Sequence, residues 1–166
     1  TMGADIAGWC VASGMEVSLQ DISLEQIKKG IESQEKLFAR KFKTKAQRDA
    51  AKARLIADPQ GRNISRADVV IEAVVEKLEV KQEVFKSIEP KLKPGAVLAT
   101  NTSSIMIEDI ARPLSDPGRL IGLHFFNPVS RMPLVEVVRG EASREEELQK
   151  GAAFVTAIDK YPLIVK

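Results

Sequence analysis

Ala67-Asp68-Val69-Val70-Ile71-Glu72-Ala73-Val74-Val75 is an apolar run interrupted at Glu72, and no other segment says as much about the architecture. A strand with one wet face alternates polar and apolar residues, whereas a strand covered on both faces reads as a continuous apolar run. Working downstream, Val80, Val84, Ile88 and Leu92 recur at helical spacing, with Pro90 ending or bending that helix. Residues 97–99, 120–123 and 134–138 are three further apolar runs, punctuated by Pro94-Gly95, Pro117-Gly118 and Asn127-Pro128. Ser143 with Glu146 has the pattern of a capping box before a helix reaching about Ile158, and residues 163–165 read as a last strand. Upstream, Met15, Val17 and Leu19 alternate with polar residues in a strand that ends at Asp21. Leu24, Ile27, Ile31, Phe38 and Phe42 then recur at helical spacing, and a second helical stretch near residues 46–56 completes a helical hairpin. Strands alternating with helices imply an α/β fold, a mostly parallel sheet covered by helices on both faces.

The composition narrows the partners. The chain has 166 residues, enough for one domain, and 44% of them are apolar. Its 25 basic and 23 acidic residues leave a formal charge of +2, too balanced for a nucleic-acid or membrane footprint. No apolar run approaches the roughly 20 residues that span a bilayer. The single cysteine, Cys10, excludes an internal disulfide and fits a reducing compartment, so a cytoplasmic location is expected. No metal site is expected.

Three of the strand-like runs end in reactive side chains. A hydroxyl pair follows the first in Asn101-Thr102-Ser103-Ser104, His124 closes the second, and Glu136 lies within the third. Side chains at strand ends in an α/β sheet open into the cleft where ligands bind. His124 is the only histidine, and so the one side chain whose ordinary titration lies near neutral pH. Alone, a histidine at a strand end is more often a satisfied structural residue.

The N-terminal 21 residues carry a second pattern. Gly3 opens a short helix that runs to Gly14, and the strand after it ends at Asp21. A Rossmann unit has G-x-G-x-x-G after its first strand, then a helix, a second strand and an acidic residue. Gly3 fits the last glycine and Asp21 the acid, which leaves the first strand missing. Neither residue means much by itself, since an isolated glycine marks a turn and an isolated aspartate a helix cap. As an ordered set they predict a doubly wound, Rossmann-like sheet whose Asp21 carboxylate accepts hydrogen bonds from a ribose and repels a 2′-phosphate, favouring NAD over NADP. Without its first, central strand such a sheet has two facing unpaired edges, so the chain is expected to be part of a longer polypeptide.

With these motifs in hand, the chain resembles the NAD-binding domain of 3-hydroxyacyl-CoA dehydrogenases over residues 1–166. The resemblance is carried by Asn101-Thr102-Ser103-Ser104, Gly122-Leu123-His124-Phe125-Phe126-Asn127-Pro128, Leu134-Val135-Glu136-Val137 and Val70-Ile71-Glu72-Ala73-Val74-Val75-Glu76. Trp9-Cys10 and the length of the hairpin are closer to the multifunctional enzymes of fatty-acid β-oxidation, which carry an enoyl-CoA hydratase domain as well.

The resemblance implies NAD-dependent oxidation of a 3-hydroxyacyl-CoA to a 3-ketoacyl-CoA. It makes His124 the general base, Glu136 the acid that orients the ring and stabilises its cation, and Ser103 the residue that bonds the substrate oxygen beside the nicotinamide, with Ser104 competing for that part. It assigns Glu76, Lys81 and Asn127 to NAD alongside Gly3, Asp21 and Ser103, although Lys81 falls on what the helical pattern makes a solvated face. From the cluster Arg40, Lys41, Lys43 and Lys45 at the hairpin tip, Lys41 is taken as a contact for coenzyme A. Ser33 is offset by about one position from a serine the family offers there. The family's catalytic asparagine and helical domain would follow Lys166, and with them a homodimer or multienzyme contact. A non-catalytic, crystallin-like relative is the alternative. A purely structural domain has no physical need for His124, Glu136 and Ser103 together. A different β-hydroxyacid dehydrogenase would use a lysine base from its second domain. If the catalytic assignment holds, His124 and Glu136 must lie within about 2.6–3.2 Å of each other.

Overall fold

The computed structural model describes residues 1–166. It comprises two compact units, Thr1–Asn63 with Asn127–Met132, and Ile64–Phe126 with Pro133–Lys166. No helix is long and apolar enough to cross a membrane.

In the first unit α1 (Met2–Ala12) is capped by Thr1, whose hydroxyl accepts from the Ala4 N–H, and buries residues nearly all round its circumference. β1 (Val17–Leu19) follows, then α2 (Leu24–Glu32), α3 (Glu35–Lys41) and α4 (Lys45–Arg54), and β2 (Leu55–Ala57) pairs in parallel with β1. The helical spacing from Leu24 to Phe42 predicts one helix, but the chain breaks between α2 and α3. Ser33 turns its hydroxyl back onto the Gly30 carbonyl at 2.6 Å, a local bond that competes with helix continuation. Gln34 points inward, donates to Asp5 Oδ1 at 3.0 Å, and fills the space over Gly8, where an added Cβ would lie 2.1 Å from Gln34 Oε1. The second helix also stops earlier than its pattern predicts. Leu55 to Ala57 form a strand instead, since three residues are too few to show a period.

The second unit holds a five-stranded sheet in the order β3 (Val69–Glu72), β4 (Val97–Thr100), β5 (Leu120–Phe125), β6 (Leu134–Val138), β7 (Tyr161–Val165). β3, β4 and β5 are parallel, β6 is antiparallel to β5, and β7 is parallel to β6. Every residue of β4 is buried, as a strand covered on both faces requires. α5 (Leu78–Ile88), α6 (Ile107–Ala111) and α7 (Glu145–Ala157) cover the sheet, and Phe85, Leu98, Ile110 and Leu120 form a fully buried core among them. Pro90 sits in a 3-10 turn after α5, which ends the helix as its missing N–H demands. The capping box at Ser143 does not form. The Ser143 hydroxyl donates to the Leu120 carbonyl at 2.7 Å and accepts from Gly140 N–H, so α7 begins after Arg144 without a side-chain cap.

The sheet strands thus divide into two sets. β1 has one strand neighbour, β2, and β3 has one, β4.

Candidate functional site

The β5–β6 register sets His124 directly opposite Glu136. Cross-strand partners in an antiparallel pair have their Cβ atoms about 5 Å apart, which brings ring and carboxylate together without a loop having to hold them. His124 Nδ1 lies 2.8 Å from Glu136 Oε1, inside the range the catalytic assignment requires. A carboxylate only accepts, so the neutral ring carries its hydrogen on Nδ1 and leaves Nε2 free to take a proton. The ring rests against Phe126 with centroids 4.5 Å apart. Gly122 permits the approach of β6: a Cβ there would stand 2.7 Å from the Val138 Cβ and 3.0 Å from Ile107 Cδ1.

β4 reaches β5 through one more contact than its backbone makes. Backbone pairing ends at Thr100 opposite Gly122, and the Asn101 side chain then accepts from the Phe125 N–H at 2.9 Å. An amide in place of a peptide carbonyl therefore ties down the residue next to His124.

The Ser103 loop follows. Thr102 and Ser104 each donate a hydroxyl hydrogen to the same oxygen, Glu76 Oε2, at 2.8 Å, and the exposed Ser103 lies between them. Glu76 Oε1 is 2.9 Å from Lys81 Nζ, and Lys81 is 2.6 Å from Glu72 Oε2. Partial burial pushes the Glu76 carboxyl up, but hydrogen bonds from Lys81, Thr102 and Ser104 and the Lys81 charge outweigh it and hold it down to about 2. Lys81 is not solvated, contrary to what the helical pattern predicts: its side chain is 1% exposed, while Val80 is 37% exposed. α5 is rotated to bury Lys81 with Phe85 and Ile88 because two carboxylates lie under it.

In the other unit, Gly3 lies in the first turn of α1. Asp21 lies two residues past β1, with Oδ1 accepting from the Ile22 N–H at 2.7 Å. Lys41 ends α3, with Nζ 4.4 Å from the Trp9 ring centroid, a cation–π contact. Asn127 is exposed and precedes a cis proline, Pro128. The fold thus brings His124 to Glu136, and Glu76 and Lys81 to the Ser103 loop, while Gly3, Asp21 and Lys41 stand on separate elements of their own unit.

Glu72, Thr100 and Asn101 are engaged in hydrogen bonds around the Ser103 loop and the end of β5, and the sequence pattern gives none of the three a part there. The signal for Glu72 was present, a carboxylate set between apolar residues 69–71 and 73–75, because such a group needs a buried partner.

These residues suit NAD by their chemistry. Asp21 in the first unit and Glu76 in the second are each carboxylates that accept hydrogen bonds, the chemistry that ribose hydroxyls require. Ile22, 95% exposed, gives apolar surface beside Asp21.

The whole chain, residues 1–166, matches the family described as 3-hydroxyacyl-CoA dehydrogenase, NAD binding domain. It is 40% identical over 168 residues to the fatty acid oxidation complex subunit alpha of Psychrobacter sp. strain PRwf-1, covering 99% of this chain but 23% of that protein. Among solved structures it is similar to (S)-3-hydroxybutyryl-CoA dehydrogenase from Ralstonia eutropha, with TM-score 0.92 and 34% identity over 100% of this chain and 60% of that one. It also resembles 3-hydroxybutyryl-CoA dehydrogenase from Escherichia coli K12, with TM-score 0.90 and 36% identity over 97% of this chain and 35% of that one.

Proposed function

Because this chain belongs to the NAD-binding domain family of 3-hydroxyacyl-CoA dehydrogenases, we propose that it serves an enzyme oxidising 3-hydroxyacyl-CoA to 3-ketoacyl-CoA in fatty-acid β-oxidation. The observation that carries this reading is the His124–Glu136 pair at 2.8 Å, with Nε2 left as the proton acceptor. A bound NAD would supply the hydride acceptor for the hydroxyl-bearing carbon. His124 takes the hydroxyl proton on Nε2 as that hydride leaves, and Glu136 stabilises the resulting imidazolium. Ser103 holds the substrate oxygen. Asp21 would receive the ribose hydroxyls, Gly3 in the first turn of α1 would meet the pyrophosphate, and Glu76 and Asn127 would complete the cofactor contacts, with the buried Lys81 acting through Glu76.

The substrate is an acyl-CoA, with Lys41 offered to its phosphates. Residues 1–166 act as the cofactor domain, and a helical domain elsewhere in the polypeptide closes over the acyl chain and supports a homodimer or a multienzyme complex. The length comparison with the relatives supports this division. A cytoplasmic location fits a sequence whose single cysteine, Cys10, allows no internal disulfide.

The test is His124→Gln in the full polypeptide, followed as NADH formation from 3-hydroxybutyryl-CoA. Loss of a general base should lower kcat by about 10²- to 10⁴-fold. Undiminished turnover would remove His124 from the chemistry and the reading with it.

A further inference from the structure

A buried carboxylate at the end of a strand is costly unless it is neutralised and hydrogen-bonded, and an apolar residue would fill the space as well. Glu72 has a side chain with 0% exposure, and both of its oxygens are engaged. Oε1 accepts from the Thr100 hydroxyl at 2.7 Å, and Oε2 accepts from the Val74 N–H at 2.7 Å and from Lys81 Nζ at 2.6 Å. Lys81 directs its remaining hydrogens to the Val74 carbonyl at 3.2 Å and to Glu76 Oε1 at 2.9 Å. Glu76, with a side chain 43% exposed, is where this chain of contacts reaches the surface, and its other oxygen holds the hydroxyls of Thr102 and Ser104.

The Ser103 loop is therefore gripped twice from one buried group. Thr100, the last residue of β4, is bound to Glu72 directly at the root of the loop. Its two shoulders are bound through Lys81 and Glu76. Lys81 occupies only Oε1 of Glu76, so Oε2 holds both hydroxyls at once.

We propose that Glu72 is a positioning residue of the dehydrogenase site, acting through Thr100 and through Lys81 and Glu76 to set the loop that presents the Ser103 hydroxyl to the substrate oxygen. This rests on the dehydrogenase reading above. It separates Glu72, which touches neither cofactor nor substrate, from the groups that do.

A double-mutant cycle in the full polypeptide tests it, combining Glu72→Gln with Ser103→Ala and reading kcat for 3-hydroxybutyryl-CoA oxidation per folded molecule. Glu72→Gln should lower kcat about tenfold when Ser103 is present and less than about twofold when Ser103 is alanine, because contacting residues in one network are non-additive. A merely structural Glu72 would give equal losses in both backgrounds, and that result would overturn the proposal. If Glu72→Gln does not fold, Thr100→Val removes the hydroxyl joining Glu72 to the loop while keeping its shape. It should cost about threefold in kcat, again only with Ser103 present, and equal losses again overturn the proposal. A wild-type protein without turnover would defeat the dehydrogenase reading itself. That outcome is distinct from an active wild type whose losses simply multiply.

Discussion

At His124 the proton chemistry depends on which ring nitrogen is free, and Glu136 decides it by occupying Nδ1 at 2.8 Å. Glu136→Gln keeps the reach of the side chain but removes the charge that stabilises the imidazolium. In the full enzyme it should lower kcat by about 10²-fold or more while leaving the NAD dissociation constant within about twofold, because the carboxylate acts on the transition state and not on the dinucleotide. Steady-state assay with fluorescence titration of NAD separates the two, and an unchanged kcat with weakened NAD binding would reassign Glu136 to cofactor support. Glu76 makes a different prediction. Its carboxyl lies below its ordinary 4.5, held at about 2 in the fold by Lys81, Thr102 and Ser104 against the opposing effect of burial. A depressed pKa contributes stability that is fully present above about 4.5 and is lost as pH falls toward about 2. The urea midpoint of the wild type should therefore drop over that interval, and Glu76→Gln should flatten the drop. Because the side chain is 43% exposed, solvent screening keeps the effect modest.

At the scale of elements, the end of β5 is held from both sides, by Asn101 from β4 and by β6 in register. Asn101→Ala leaves the N–H of Phe125, a residue 1% exposed, without its acceptor. The expected cost is about 1–3 kcal/mol in urea unfolding, and Asn101→Asp, which retains an acceptor oxygen, should recover most of it. Gly122→Ala forces a Cβ to within 2.7 Å of the Val138 Cβ, so β6 must shift and carry Glu136 with it. Overpacking of this kind costs about 1–3 kcal/mol, and kcat should fall together with stability. A variant of full stability and full activity would show that the strand pair tolerates displacement.

At the scale of the whole molecule, β1 and β3 each pair with a single strand. If residues 1–166 are the cofactor domain of a larger enzyme, the isolated chain should not oxidise NADH with acetoacetyl-CoA, since the family's asparagine and helical domain would be supplied by other segments. Extending the chain with a strand and glycine turn ahead of α1 should raise NAD affinity without adding turnover, because backbone N–H groups at such a turn cradle a pyrophosphate. Steady-state NADH consumption by the purified 166-residue chain would show a more self-contained site.

The sequence by itself determined the elements with a long or strongly punctuated signal. The apolar run through Val69 to Ile71 marked a parallel strand, although β3 lies at the sheet edge with those three residues only half-buried, Pro90 marked the end of α5, and the motifs around Ser103, His124 and Glu136 marked the reactive side chains. Strand alternation and punctuation are local properties, so they can be read locally. Tertiary structure alone decided which way short polar side chains turned. Gln34 filled the space over Gly8 and Ser143 reached Leu120, each against or beyond the pattern around it. β2 was invisible because three residues hold no period, and its strand state depends on β1 beside it. Lys81 is the clearest case. Helical spacing puts a lysine in water, and only two carboxylates brought from Glu72 and Glu76 make burial favourable, a balance set by groups five and nine residues away.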